Sequence, residues 1–140
     1  MYENTLSLLP GAQARPTLYD SGSCTLFPSV AANARGDLGA VLNISAGRQG
    51  PAVAFLMQDD YSTALPRGAY YTVQISGARP SDRRWGDFNS VQPMSPVQTT
   101  WVGAGHYLPG TSPCSACAAP VFFNFGRARD NMAWNYWQDK

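Results

Sequence analysis

Residues 51–56 read Pro51-Ala52-Val53-Ala54-Phe55-Leu56, an apolar run without alternation that continues to Met57. An unbroken apolar strand predicts an inner strand whose two faces are both covered by neighbouring layers. A similar run, Pro120-Val121-Phe122-Phe123-Asn124-Phe125, follows at an offset of 69 residues, and both runs lead into an acidic turn. The chain therefore carries two copies of one strand-rich unit.

The residues before these runs also match, at an offset of 61. Phe27-Pro28-Ser29-Val30 aligns with Phe88-Asn89-Ser90-Val91, and residues 38–44 align with residues 99–105. In the first copy, Asn33-Ala34-Arg35-Gly36-Asp37 lies between the run that begins at Phe27 and the run over residues 38–44, and it has the composition of a hairpin connection. Each copy thus contains three apolar runs. A fourth run follows at residues 69–76 in the first copy and at residues 132–137 in the second.

Four antiparallel strands per copy are typical of a β-propeller blade. We therefore predict an all-β fold of antiparallel four-stranded blades, about two of them, with a ring that does not close within this chain. Residues 1–140 are expected to be one all-β segment: 1–23 as an outer strand or link from a preceding blade, 24–80 as the first repeat and 81–140 as the second.

The composition agrees with this fold and excludes some classes of partner. Hydrophobic residues make up 44% and charged residues only 14%, with a single Lys and a single Glu, so we expect less than about 10% helix. The net charge is +1 and the arginines are scattered, which argues against nucleic acid binding. No apolar run reaches the roughly 20 residues of a membrane helix, so we expect no membrane insertion.

Two groups of residues carry a family resemblance. Residues 27–33 and 36–41 are followed some fifty residues later by Arg84-Trp85-Gly86-Asp87-Phe88. This arrangement resembles the C-terminal blades of exported bacterial β-propellers of the sialidase-like (BNR-repeat) superfamily. The resemblance implies a propeller fold and an extracellular or cell-surface location. The segment Ser95–Trp101 lacks the Asp and Gly of the repeat's Asp-box, which weakens an enzymatic interpretation.

The Arg84–Asp87 motif allows two interpretations. Arg84, Trp85 and Asp87 form a ligand site if the guanidinium grips a polar group while the indole stacks on a sugar. They are structural if Asp87 caps its own turn and Trp85 lies in the core. Trp134 and Trp137 near the C-terminus likewise allow two interpretations: they form a platform on which a sugar stacks, or they pack within a blade.

The cysteines leave three alternatives open. Cys114 and Cys117 lie in a loop rich in Pro, Ser and Ala, where a short-range disulfide is expected, with free thiols as a second alternative. The third is a zinc site formed by Cys24, His106, Cys114 and Cys117. We expect the disulfide, no metal and no cofactor, and we expect His106 to be structural rather than a general base.

Two further patterns resemble functional motifs but favour structural roles. No Lys or helical run follows Gly103-Ala104-Gly105, so its small residues predict close approach of strands rather than a phosphate loop. Asn43-Ile44-Ser45 fits the glycan-acceptor pattern but lies within an apolar strand.

The expected function is that of a non-enzymatic scaffold or recognition module. Sialidases use a Tyr nucleophile assisted by Glu, and the only Glu here is Glu3 near the start of the chain. One alternative is part of a glycan-active hydrolase whose catalytic residues lie outside this chain. Another is a self-assembling structural β subunit. The expected partners are another copy or another protein chain, bound through exposed blade faces, and a glycan.

Overall fold

The computed structural model of the chain describes residues 22–45, 50–59, 70–81, 85–111, 113 and 117–130. This part is all-β and antiparallel, as predicted, and its only helix is a single 3₁₀ turn over Ala128–Asp130. The strands are β1 (Cys24–Ala32), β2 (Leu38–Ser45), β3 (Ala52–Gln58), β4 (Tyr71–Ile75), β5 (Ser90–Pro93), β6 (Trp101–Tyr107) and β7 (Ala119–Phe125).

The strands form two sheets in which each strand pairs with the next one in sequence. The first sheet has the order β1-β2-β3-β4 and the second has the order β5-β6-β7. Seven of the eight predicted apolar runs are therefore strands or contribute to strands. The eighth, residues 132–137, lies outside the described residues, as do residues 1–21 of the predicted link over residues 1–23.

The two sheets stack face to face around one hydrophobic cluster. Val41 and Val53 from the first sheet meet Trp101 and Phe125 from the second, and all four are buried. The stacking is close because β6 presents glycines to the first sheet. A Cβ on Gly103 would lie 2.8 Å from a Val41 methyl, and one on Gly105 would lie 2.9 Å from a Val53 methyl. The predicted close approach at residues 103–105 is confirmed.

The other face of β2 and β3 is buried as well. Tyr70 packs against this second cluster of small and aliphatic side chains. Its buried members are Ala40, Leu42, Ile44, Ala52, Ala54 and Leu56. Burial on both faces confirms the inner strand that the apolar run predicted.

The β1–β2 turn fastens the two sheets together at one end. The Asn33 Oδ1 atom accepts hydrogen bonds from the backbone N–H groups of Arg35 and Asp37, at 2.9 and 3.0 Å, as in an Asx turn. The Asn33 amide also donates to the carbonyl of Thr99 at 3.0 Å, and the Ala34 N–H donates to the carbonyl of Gln98 at 2.8 Å. The turn therefore binds the loop between β5 and β6.

Candidate functional site

The segment Trp85–Asn89 enters β5 and carries the most distinctive motif of the sequence. Two asparagines hold it against the first sheet: the Asn43 amide donates to the carbonyl of Gly86 at 3.1 Å, and the Asn89 amide donates to the carbonyl of Phe27 at 3.0 Å. Phe27 opens the first of the residue groups that carry the family resemblance, and Trp85–Asn89 includes most of the second. The structure thus brings the two groups into contact.

The backbone at this contact is tightly specified. Gly86 has φ 110°, and a Cβ there would lie 2.7 Å from the Phe27 ring and 3.1 Å from the Asn43 amide nitrogen. Phe27 itself has φ 49°, in the left-handed region, at a break in the β1–β2 register between Leu26 and Ser29. Such a conformation costs a bulky residue about 1–3 kcal/mol and persists only where its surroundings fix it.

Trp85 packs on the side chain of His106 from β6. The ring centroids are 4.4 Å apart and the rings are tilted by 49°. Burial lowers the pKa of His106, and the negative charge of Asp87 opposes that shift. The imidazole is therefore neutral at pH 7, which agrees with a packing role.

Buried polar atoms without a hydrogen-bond partner are concentrated here. Within the described ranges they are Asn43 Oδ1, Trp85 Nε1 and Asn89 Oδ1. Most buried polar atoms in proteins are paired, and an unpaired one costs free energy. Two of the three belong to the segment itself, and the third belongs to the residue that holds Gly86.

The outward side of the segment presents a carboxylate beside an aromatic ring. Asp87 is exposed, and the Phe88 side chain is 83% exposed. Asp87 accepts no hydrogen bond from the residues that the structure describes, so the predicted turn cap is not observed. An exposed carboxylate can accept hydrogen bonds from a ligand, and an exposed aromatic ring can stack on one.

The structure gives a position to only part of the predicted site. Trp85 is half-buried and Asp87 is exposed, whereas Arg84, Trp134 and Trp137 lie outside the described residues.

Sequence reasoning missed Phe27, Asn43 and Asn89 as members of this site. A polar residue inside an apolar strand was the available signal for Asn43. Its side chain is fully buried, so Asn43 cannot accept a glycan in this fold.

The cysteine predictions are only partly covered by the structure. Cys24 begins β1 as an exposed free thiol, and Cys114 lies outside the described residues, so the Cys114–Cys117 disulfide stays a prediction. Over the described ranges, no three His, Cys, Asp or Glu side chains are grouped closely enough to hold a metal ion. The zinc alternative with Cys24, His106, Cys114 and Cys117 therefore has no support from this part of the chain.

A set of ion pairs lies at the opposite end of the strands, and the sequence did not reveal it. Arg127 forms a two-point hydrogen bond with Asp59, with Nη2 to Oδ1 at 2.9 Å. Arg35 binds Asp130 in the same way, with Nη2 to Oδ2 at 2.8 Å. The Asp59 and Asp130 side chains are only 2% and 7% exposed. Asp59, in the acidic turn that follows the first apolar run, thus joins the two sheets.

In the described part of the chain, no helix is long and apolar enough to cross a membrane. Comparisons with protein-family models, with curated proteins and with solved structures found no match to this chain.

Proposed function

We propose that the chain forms two neighbouring blades of a sialidase-like β-propeller and serves as a non-enzymatic scaffold and recognition module. The strand order and the face-to-face stacking of the two sheets support this architecture. The contact between Phe27 and Gly86 supports it further, because it joins the two residue groups that resemble that family.

The recognition role rests on one observation: other residues hold the inner side of the segment Trp85–Asn89, while its outer side faces solvent. Asn43, Phe27 and His106 hold its inner side, while Asp87 and Phe88 face solvent. A preorganised surface loses little conformational entropy when it binds a ligand. A ring as exposed as that of Phe88 contributes little to the packing of the described part.

The ligand that fits best is a neutral glycan. Sugar hydroxyls donate hydrogen bonds to a carboxylate such as Asp87, and the apolar face of a sugar ring stacks on an aromatic side chain such as Phe88. The negative charge of Asp87 would repel an acidic sugar.

The state of the carboxylates supports a non-enzymatic role. Of the four Asp residues that the structure describes, Asp37, Asp59 and Asp130 are bound to arginine, and only Asp87 is not. Glycoside hydrolysis commonly needs two carboxylates beside the scissile bond. Asp37 and Asp130 lie close together, but both are engaged by Arg35, so a hydrolase role would depend on residues elsewhere.

An extracellular or cell-surface location belongs to the same proposal. It rests on the resemblance to exported propellers and on the Cys114–Cys117 disulfide, which would form in an oxidising compartment.

The recognition role is tested by binding of a panel of neutral oligosaccharides to the wild-type chain, Asp87→Asn and Phe88→Ala. We expect each variant to weaken binding at least about tenfold while the melting temperature changes by less than about 2 °C, since both side chains are exposed. Val30→Ala, which changes an exposed apolar side chain on β1, is the control and should bind like the wild type. Unchanged binding by both variants, or no binding by the wild type, would refute this role.

A further inference from the structure

Phe27 lies alongside the segment that carries the recognition role. Its carbonyl accepts a hydrogen bond from the Asn89 amide at 3.0 Å, and a Cβ on Gly86 would lie 2.7 Å from its ring. The ring therefore lies against the residue that precedes Asp87, and Phe88 is the residue that follows Asp87. The Cα atoms of Gly86 and Phe88 are at most about 7 Å apart, because two residues of chain span no more than that.

The Phe27 and Phe88 rings are both accessible to a ligand. Phe27 is 50% exposed although its ring contacts Gly86, and Phe88 is 83% exposed. The two phenylalanines occupy equivalent positions in the two copies, at the offset of 61. Each copy thus presents an aromatic ring at the same repeat position, and the contact between the copies brings the two rings to one surface.

The backbone of Phe27 holds its ring at this surface. Its φ of 49° lies in the left-handed region, which is unfavourable for a bulky residue. Residues in such conformations are concentrated at functional sites, where the surrounding structure fixes them. Half of Phe27 stays exposed, so the conformation places the ring beside the recognition segment rather than in the core.

We infer that Phe27 and Phe88 form two stacking subsites beside Asp87, and that the ligand is an oligosaccharide long enough to cover both rings. One sugar unit stacks on each ring, and hydroxyl groups between the two units donate hydrogen bonds to the carboxylate. Once one unit is bound, the second contact forms within the same complex, so affinity rises with chain length. The inference rests on the proposed glycan-binding role and adds to it the length of the ligand and a second contact residue.

The test measures binding of linear neutral oligosaccharides of glucose, mannose and N-acetylglucosamine, from the single sugar to the tetrasaccharide. The wild-type chain should bind one tetrasaccharide at least about tenfold more tightly than its single sugar. Phe27→Leu keeps an apolar side chain against Gly86 but removes the stacking face, so this ratio should fall to about one to three. Val30→Ala, at an exposed apolar position of the same strand, is the matched control and should keep the ratio.

Nuclear magnetic resonance of the wild-type chain gives a second readout that does not depend on the folding of a variant. On addition of the tetrasaccharide, the ring protons of both Phe27 and Phe88 should shift, because a sugar unit covers each ring. The ring protons of Phe122, which is 73% exposed on β7, should stay unshifted.

An unchanged ratio in Phe27→Leu would overturn the inference, because Phe27 would then only support the segment. A tetrasaccharide that shifts the ring protons of Phe88 alone would overturn it as well. In both cases, binding that still depends on Asp87 and Phe88 would leave the proposed function standing. Absence of oligosaccharide binding by the wild-type chain would overturn both the inference and the recognition role.

Discussion

Phe27 and Gly86 show why the most distinctive motif of this sequence needs a glycine. Gly86 lies under the Phe27 ring with φ 110°, and its carbonyl accepts a hydrogen bond from the buried Asn43. A side chain at this position would face a backbone penalty and a collision at the same time. The tryptophan and aspartate beside Gly86 are then positioned by a contact 59 residues away in sequence.

We expect Gly86→Ala to destabilise the protein by about 2–5 kcal/mol, the sum of left-handed strain and overpacking against Phe27. The control is Gly36→Ala: this glycine also has positive φ, 87°, but no atom lies within 4 Å of its Cβ position. It should cost only the strain, about 1–2 kcal/mol. Urea denaturation of both variants measures the difference. Equal losses would show that the Phe27 contact does not constrain Gly86.

The sequence could not predict the partners of the buried asparagines. Asn43 interrupts an apolar strand, which marks it as unusual, but its acceptor is the carbonyl of Gly86. Asn89 resembles any residue that precedes a strand, yet it donates to the carbonyl of Phe27. Both bonds depend on how the segment lies across the first sheet, and local sequence carries no information on that placement.

Among the strands, β6 best illustrates how residue size sets the spacing of the two sheets. It alternates Trp101, Gly103 and Gly105 toward the first sheet with Val102 and Ala104 away from it. The Trp101 indole fills one end of the interface and donates to the carbonyl of Ala31 at 3.0 Å. The glycines let the sheets approach along the rest of the strand.

Gly103→Ala should destabilise the protein by about 1–3 kcal/mol, because its Cβ would lie 2.8 Å from both Val41 and Phe123 side-chain atoms. Ala104→Val, a larger addition on the opposite face of the same strand, should change stability by less than about 0.5 kcal/mol. Thermal unfolding of the two variants compares the faces directly. A greater loss for Ala104→Val would mean that we have assigned the faces of β6 the wrong way round.

The periodicity of the sequence identified the strands better than their ends. The apolar run at residues 51–57 correctly indicated an inner strand, because burial on both faces leaves a direct trace in composition. The start of β1 was less predictable. Phe27-Pro28 interrupts any strand pattern, but β1 lies at the edge of its sheet, where Pro is tolerated and a register break can be accommodated.

On the scale of the whole molecule, the two sheets are joined at both ends of their strands. At one end, Arg127 binds Asp59 and Arg35 binds Asp130, across 68 and 95 residues of sequence. At the other end, Ser76 Oγ accepts a hydrogen bond from the backbone N–H of Leu108 at 3.0 Å. The sequence predicted two acidic turns at matching positions. It could not identify the arginines that bind the carboxylates of these turns, because each arginine meets its aspartate only when the two sheets stack.

The Arg35–Asp130 pair predicts how stability depends on pH. Hydrogen bonding to Arg35 lowers the pKa of Asp130 below its ordinary value of 3.8. A carboxyl group whose pKa is lowered by folding stabilises the folded state above that ordinary value. The contribution is lost as the pH falls through the lowered pKa. Asp130→Asn should therefore lower the urea midpoint at pH 6, and its difference from the wild type should shrink steadily below about pH 4.

Asp87→Asn provides the matched control for this pH dependence. Asp87 is exposed and has no arginine partner among the described residues, so its replacement should leave the urea midpoint close to that of the wild type from pH 6 to pH 2.5. The contrast separates the effect of one specific pair from the general effect of protonating carboxyl groups. If the Asp130→Asn difference were the same at pH 6 and pH 2.5, the side chain would be acting through packing, and the sheets would not be joined by charge at this end.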